Sequence, residues 1–175
     1  MRINIIPIGN INQEVLSRLK LNLKEIFFRE IEISPQMEQP TYAYNPSRKQ
    51  FHSTTILSAI KSLQLSGESL GIVDVDLYAF GLNFVFGEAD PQSRAGVISL
   101  YRLRPELYGL PQDEELFTQR AVKEAIHELG HIYGLRHCSD VKCVMHFSNT
   151  LRDTDIKQAA FCTKCSLELK RKGVI

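Results

Sequence analysis

Apolar positions along the first hundred residues switch between two spacings. Residues 2–8, RINIIPI, form a near-continuous apolar run of strand length, with Pro7 weakening its far end or placing it at an edge. Val15, Leu16, Leu19, Leu23, Ile26 and Phe27 then recur at helical spacing over residues 12–26, with Asn10 or Asn12 as the cap. A short strand is expected over 30–37, and a loop with a short strand at 41–44 follows. Ile56, Leu57, Ile60 and Leu63 mark a second helix that starts at Ser53 or Thr54, runs to about Leu65 and stops before Gly67. Residues 70–76 and 95–100 have the pattern of buried strands, with an aromatic-rich segment, 78–86, between them.

The spacing changes for good after residue 112. Val122, Ile126, Leu129 and Tyr133 lie on one stripe of a helix over 113–133, and Asp113, Glu114 and Glu115 suit the positive end of its dipole. Beyond Gly134 regular pattern fades. A short helix capped by Asp153 or Thr154 is expected through Ala160, and residues 166–170 have the look of the end of another. Strand and helix alternating in this order predict an α/β sheet with helices on its faces.

Composition narrows the class. The chain has 175 residues, enough for a single domain or a domain with a small appendage, and the 43% apolar and 23% charged fractions are those of a globular protein. A formal charge of +1 argues against a nucleic-acid binder. No run approaches the roughly 18 continuous apolar residues of a membrane-spanning helix. The first ten residues lack the basic and cleavage regions of an export signal. A cytoplasmic, monomeric protein is therefore the expectation. Charge is uneven: residues 1–119 carry 11 basic and 14 acidic side chains, residues 120–175 carry 10 and 6. The basic excess accompanies all four cysteines, whose metal-bound thiolates would offset it.

The helix over 113–133 carries the chemistry. His127 and His131 lie one turn apart on one face, so both imidazoles can reach one ion. Glu128 points about 100° round the axis and can reach a water held there without filling a ligand position. Gly134 accepts the left-handed backbone that ends a helix, which lets His137 return as a third nitrogen ligand. Three protein ligands leave a place for water, the pattern of a catalytic zinc, with Glu128 as general base. The short motif alone occurs by chance in unrelated helices. Three of the chain's five histidines at these intervals, around a glycine and a glutamate, argue against chance.

Cys138, Cys143, Cys162 and Cys165 can make a closed four-sulfur structural zinc site, which would pin a C-terminal segment too poor in apolar residues to build its own core. Two disulfides are the alternative. The close Cys162-Cys165 pair and the missing export signal favour metal.

His127-Glu128-x-x-His131-x-x-Gly134-x-x-His137, followed by Cys138, Cys143, Met145 and Cys162-x-x-Cys165, resembles the archaemetzincin family of the metzincin clan of zinc metallopeptidases. The resemblance implies a twisted mixed sheet with flanking helices, an active-site helix in an N-terminal α/β subdomain (1–134), and a small zinc-stabilised C-terminal subdomain (135–175). It implies two zinc ions, one catalytic and one structural, and Met145 as the methionine of a tight turn beneath the catalytic ion. It further implies a cleft whose upper rim is an antiparallel edge strand, best matched by residues 83–86, along which an extended peptide substrate would lie. A peptide-binding or regulatory zinc protein with little turnover is the alternative function. His52 and His146 are not expected to be ligands, although His146 could border the cleft. Asp74 and Asp76, at a strand end, are a second carboxylate pair whose simpler role is a polar face. Tyr42, Tyr44, Tyr78 and Tyr101 are candidate oxyanion donors with no means of choosing among them. Arg102 and Arg104 sit in no phosphate-binding context.

Overall fold

The computed structural model describes residues 2–175. Strands β1 (Arg2–Ile8), β2 (Glu30–Ile33), β5 (Glu68–Val73), β7 (Gly87–Asp90) and β8 (Ala95–Ser99) form one mixed sheet in the order β2-β1-β5-β8-β7. The first four positions in that order are parallel, and β7 lies antiparallel against β8 at the edge. A small second sheet holds β3 (Tyr44–Asn45), β4 (Gln50–His52) and β6 (Leu77–Tyr78) in the order β3-β4-β6.

Connections explain the layers. β1 passes through helix α1 (Gln13–Phe27) to β2 on one side, and the chain then crosses by way of α2 (Ser53–Ser62) to β5 on the other side of β1. Right-handed crossovers that move in opposite directions put their helices on opposite faces. Side chains divide accordingly. Ile3, Ile5, Leu70, Ile72 and Ile98 face the core shared with α1 and the long helix α3 (Glu114–Ile132). Ile6, Ile8, Val73 and Val97 face the core under α2. Gly71 on β5 leaves room for Ile60 of α2, whose Cδ1 would stand 2.5 Å from an added β-carbon. Two short helices, α4 (Leu151–Ile156) and α5 (Thr163–Arg171), complete the C-terminal segment. Leu169 and Val174 of that segment are buried in the α1–α3 core.

The helices agree with the hydrophobic pattern to within a few residues. The expected strand over 30–37 is shorter, because only Met37 rejoins the sheet, as a single bridge to Ile8. The strand expected over 70–76 ends at Val73. Asp74 and Asp76 beyond it each accept a bidentate arginine, Arg104 and Arg102 respectively, so they are structural ion pairs. Helix α4 starts earlier than expected: Thr150 is its cap and Asp153 closes the capping box from within. The edge strand is also corrected. It is β7, Gly87–Asp90, and not residues 83–86, whose only pairing is the bridge from Val85 to Leu77 and one bond from Ser99 N–H to the Phe86 carbonyl. The resemblance placed that strand at 83–86, but the ladder with β8 is made by the more polar residues that follow. No helix among the described residues is long and apolar enough to cross a membrane.

Candidate active site

Helix α3 opens with the Asp113 carboxylate accepting from Leu116 N–H, which satisfies one of the free donors of the first turn. It ends in a Schellman arrangement: Gly134, at φ +80°, donates to His131 O and Leu135 donates to Gly130 O. This ending turns the chain so that His137 faces the two histidines on the helix. One ring nitrogen from each of His127, His131 and His137 lies within 4.8 Å of the other two.

Hydrogen bonds decide which nitrogens are free. His127 Nδ1 lies 2.8 Å from Val144 O, and His131 Nδ1 lies 2.9 Å from Leu135 O. A carbonyl can only accept, so both Nδ1 atoms carry the proton and each Nε2 presents a lone pair. The two Nε2 atoms are 3.1 Å apart. Two lone pairs so close repel unless a cation lies between them. Nitrogens bound at zinc's usual distance in a tetrahedron stand roughly 3.3 Å apart, so the arrangement fits a zinc ion. Burial holds the His127 imidazole well below its ordinary pKa, with the Lys157 charge adding to the effect; burial also lowers His131 and His137. Neutral imidazole is the ligand form.

Glu128 is 5% exposed. Burial pushes its carboxyl well above the usual range, the Glu124 and Glu88 carboxylates push the same way, and Lys157 opposes them. It lines a cleft of about 720 Å³ together with the three histidines, β7, the segment 82–86 and residues 147–149. Met145 is fully buried under α3, where a β-carbon on Gly130 would collide with its side chain. The backbone around it is tied down by Cys138 N–H to Met145 O at 2.9 Å and by His146 Nδ1 to Cys138 O at 3.0 Å. His146 thus braces the turn and does not line the cleft. His52 Nδ1 pairs with the Thr55 hydroxyl, away from the site. None of Tyr42, Tyr44, Tyr78 and Tyr101 lines the cleft.

The four cysteines are free thiols gathered in one cluster, with their sulfurs within 4.8 Å of one another. Cys138 Sγ and Cys162 Sγ are 3.8 Å apart, the separation of roughly 3.8 Å that two sulfurs take on a tetrahedral zinc. The Cys162 N–H donates to Cys143 Sγ at 3.3 Å. The cluster fits a metal and suggests a zinc subdomain at the C-terminus.

Several participants carried no motif. Gly87 of β7 lies against Glu128, and an interior glycine in a strand next to a cleft is a sign of close approach. Glu124, one turn before Glu128, forms a buried ion pair with Lys157 at 2.9 Å and accepts from the Thr154 hydroxyl at 3.0 Å. Lys157 follows α4 and had no sequence signal. The carbonyls of Val144 and Leu135 are backbone groups, invisible to a search for side-chain patterns.

A parallel sheet closed by an antiparallel edge strand, with a helix that sets imidazoles and a carboxylate under that strand, defines the class: a zinc metallopeptidase. The chain belongs to Peptidase family M54, whose family model matches residues 9–171. It is 48% identical over 174 residues to archaemetzincin of Methanocaldococcus jannaschii, covering 99% of this chain and 96% of that protein. Archaemetzincin of Pyrococcus abyssi is 43% identical, with 95% and 93% covered. Among solved structures, archaemetzincin from Archaeoglobus fulgidus, complexed with malonate, superposes with a TM-score of 0.84 at 39% identity, over 96% of this chain and 99% of that one. A zinc-dependent peptidase from Methanocorpusculum labreanum superposes with a TM-score of 0.89 at 25% identity, over 95% and 99%.

Proposed function

We propose that this protein hydrolyses peptide bonds at a zinc ion held by His127, His131 and His137, with Glu128 as general base. The observation that carries the reading is the 3.1 Å approach of two Nε2 lone pairs beside a buried carboxylate. Zinc bound there would acidify a water and polarise the scissile carbonyl. Glu128 takes the water proton as the oxygen adds to the carbonyl carbon, and passes a proton to the amine nitrogen as the C–N bond breaks. Its burial suits the first transfer, because a carboxyl with raised proton affinity is a better acceptor than one in water. Val144 O and Leu135 O keep two imidazoles in the ligand tautomer.

The substrate is an extended peptide. β7 pairs with β8 on one side only, and its other edge offers unpaired backbone groups at the cleft, where a peptide can add as a further strand. A second zinc, held by Cys138, Cys143, Cys162 and Cys165, organises residues 135–175 as a small subdomain on the 1–134 unit. Because Cys138 adjoins His137, this ion also sets where the third nitrogen ligand stands.

Glu128→Gln tests the mechanism. The variant keeps its zinc and loses cleavage of a peptide mixture analysed by mass spectrometry. Cleavage that survives the change removes Glu128 from the reaction.

A further inference from the structure

The four cysteines are not equivalent. Cys143 and Cys165 are 1% and 6% exposed, and both are part of the main core. Cys138 and Cys162 are half-buried. Their sulfurs stand 3.8 Å apart, so the two accessible thiols are also neighbours. A small cavity of about 280 Å³ reaches the cluster from outside, with His137, Cys138, Lys164 and Cys165 in its walls. Space of that size admits a small oxidant such as hydrogen peroxide. Arg136 and Lys164 border the same cavity, while Glu168 there is paired with Lys172. Partly exposed sulfurs beside cationic side chains are the ones that oxidants attack.

The position of Cys138 is tied to the histidine site more closely than that of any other cysteine. It is bonded directly to His137. Its N–H donates to Met145 O at 2.9 Å, and its carbonyl accepts from His146 Nδ1 at 3.0 Å. Carbonyls fix the rings of His127 and His131, but no hydrogen bond among the described residues fixes the His137 ring. That ring only packs against the other two histidines and Phe147. His137 is therefore the ligand whose place depends on the chain that carries it. Cys162, for its part, stands at the N-terminal cap of α5 and donates its N–H to Cys143 Sγ at 3.3 Å. A bond between Cys138 and Cys162 would pull the His137 segment against α5.

We propose that Cys138 and Cys162 are a peroxide-sensitive modification site that controls metal binding at the histidines. One thiolate attacks a peroxide oxygen, the O–O bond breaks and hydroxide leaves, which gives a sulfenic acid. The second thiolate attacks that sulfur, the S–O bond breaks and a second hydroxide leaves. Each sulfur gives up one electron, both peroxide oxygens are reduced, and two protons from solvent turn the hydroxides into water. Only Cys143 and Cys165 then remain for the structural ion, which is released. His137 loses its support, and the catalytic ion is held more weakly. The proposal rests on the two-zinc reading and adds regulation of that same site by an oxidant.

The test uses the full zinc-loaded chain and needs no substitution in the cluster. Hydrogen peroxide is added stepwise. A chromogenic chelator reads zinc release, and mass spectrometry after alkylation of the remaining thiols maps which cysteines are joined. The first linkage is expected to join Cys138 to Cys162, with one zinc released per linkage. The zinc dissociation constant at the histidines rises about 10-fold, as when the support behind a ligand is lost. Dithiothreitol with added zinc restores both sites. Glu128→Gln, which keeps all three histidines and all four cysteines, gives the same linkage and release, so the outcome is independent of hydrolysis. A first linkage between Cys162 and Cys165, oxidation of single sulfurs that dithiothreitol does not reverse, or four thiols that stay reduced overturns the inference. A Cys138–Cys162 linkage that leaves zinc affinity at the histidines unchanged also overturns it. A loaded chain without zinc at the cysteines contradicts both the inference and the two-zinc reading. The expected linkage and release in a chain that cleaves no peptide support the inference and contradict the peptidase reading.

Discussion

Gly87 leaves the space that Glu128 occupies: a β-carbon at Gly87 would stand 2.6 Å from Glu128 Oε1 and 2.7 Å from its Cγ. The backbone of Gly87 does not demand glycine, since it is not among the glycines with positive φ. Space is the requirement. The edge strand can cross directly over the helix only because this residue has no side chain, and that crossing brings the strand and the Glu128 carboxylate to the same point of the cleft.

Gly87→Ala therefore displaces the Glu128 carboxylate without touching His127, His131 or His137. The expected loss is about 100-fold in kcat, the cost of misplacing a reacting group by about an ångström, with zinc content unchanged. Metal analysis and peptide cleavage on the same preparation check both halves. Full activity in this variant means that the carboxylate has room to work elsewhere.

Lys157 and Glu124 are both almost wholly buried, and their ion pair joins the C-terminal segment to the active-site helix. Lys157→Leu leaves the Glu124 carboxylate unpaired in the interior, and the expected cost is about 3–5 kcal/mol of stability. The double variant with Glu124→Leu recovers most of that loss, because an apolar pair of similar volume replaces a buried ion pair at little cost. Chemical denaturation of the two variants measures the difference. Equal stability of single and double variants argues that the ammonium was not compensating the carboxylate.

Cys165→Ser removes one sulfur of the four-cysteine cluster, which under the proposed two-zinc reading is a metal ligand. Metal content falls at that cluster, and the histidine site weakens as well, because Cys138 holds the chain directly beside His137. A rise of about 10- to 100-fold in the zinc dissociation constant of the histidine site is the usual effect of losing support behind a ligand. Competition with a chelator reads both sites. Unchanged affinity at the histidines shows that the two sites are independent.

How much of this could be read from the sequence depends on whether partners are neighbours along the chain. His127, Glu128 and His131 belong to one helix, so helical geometry alone arranges them, and Gly134 marks the helix end by the conformation it adopts. The cysteines stand out because they are few and clustered. The edge strand was harder to place, because pairing with Val97 and Ile98 decides it, and residues 83–86 have the more strand-like composition. Gly87, Lys157 and the carbonyl of Val144 act across long separations in the chain. Their roles follow from tertiary packing, which local periodicity does not encode. Asp74 and Asp76 show the reverse case, a conspicuous carboxylate pair that tertiary structure assigns to two arginines.

A crystal structure of the zinc-loaded protein, with anomalous data collected on both sides of the zinc absorption edge, tests the central claim most directly. The account predicts one anomalous peak within bonding distance of the Nε2 atoms of His127 and His131 and of a His137 nitrogen, and a second among the four cysteine sulfurs. A fully loaded protein whose His137 ring points away from the first peak would contradict it.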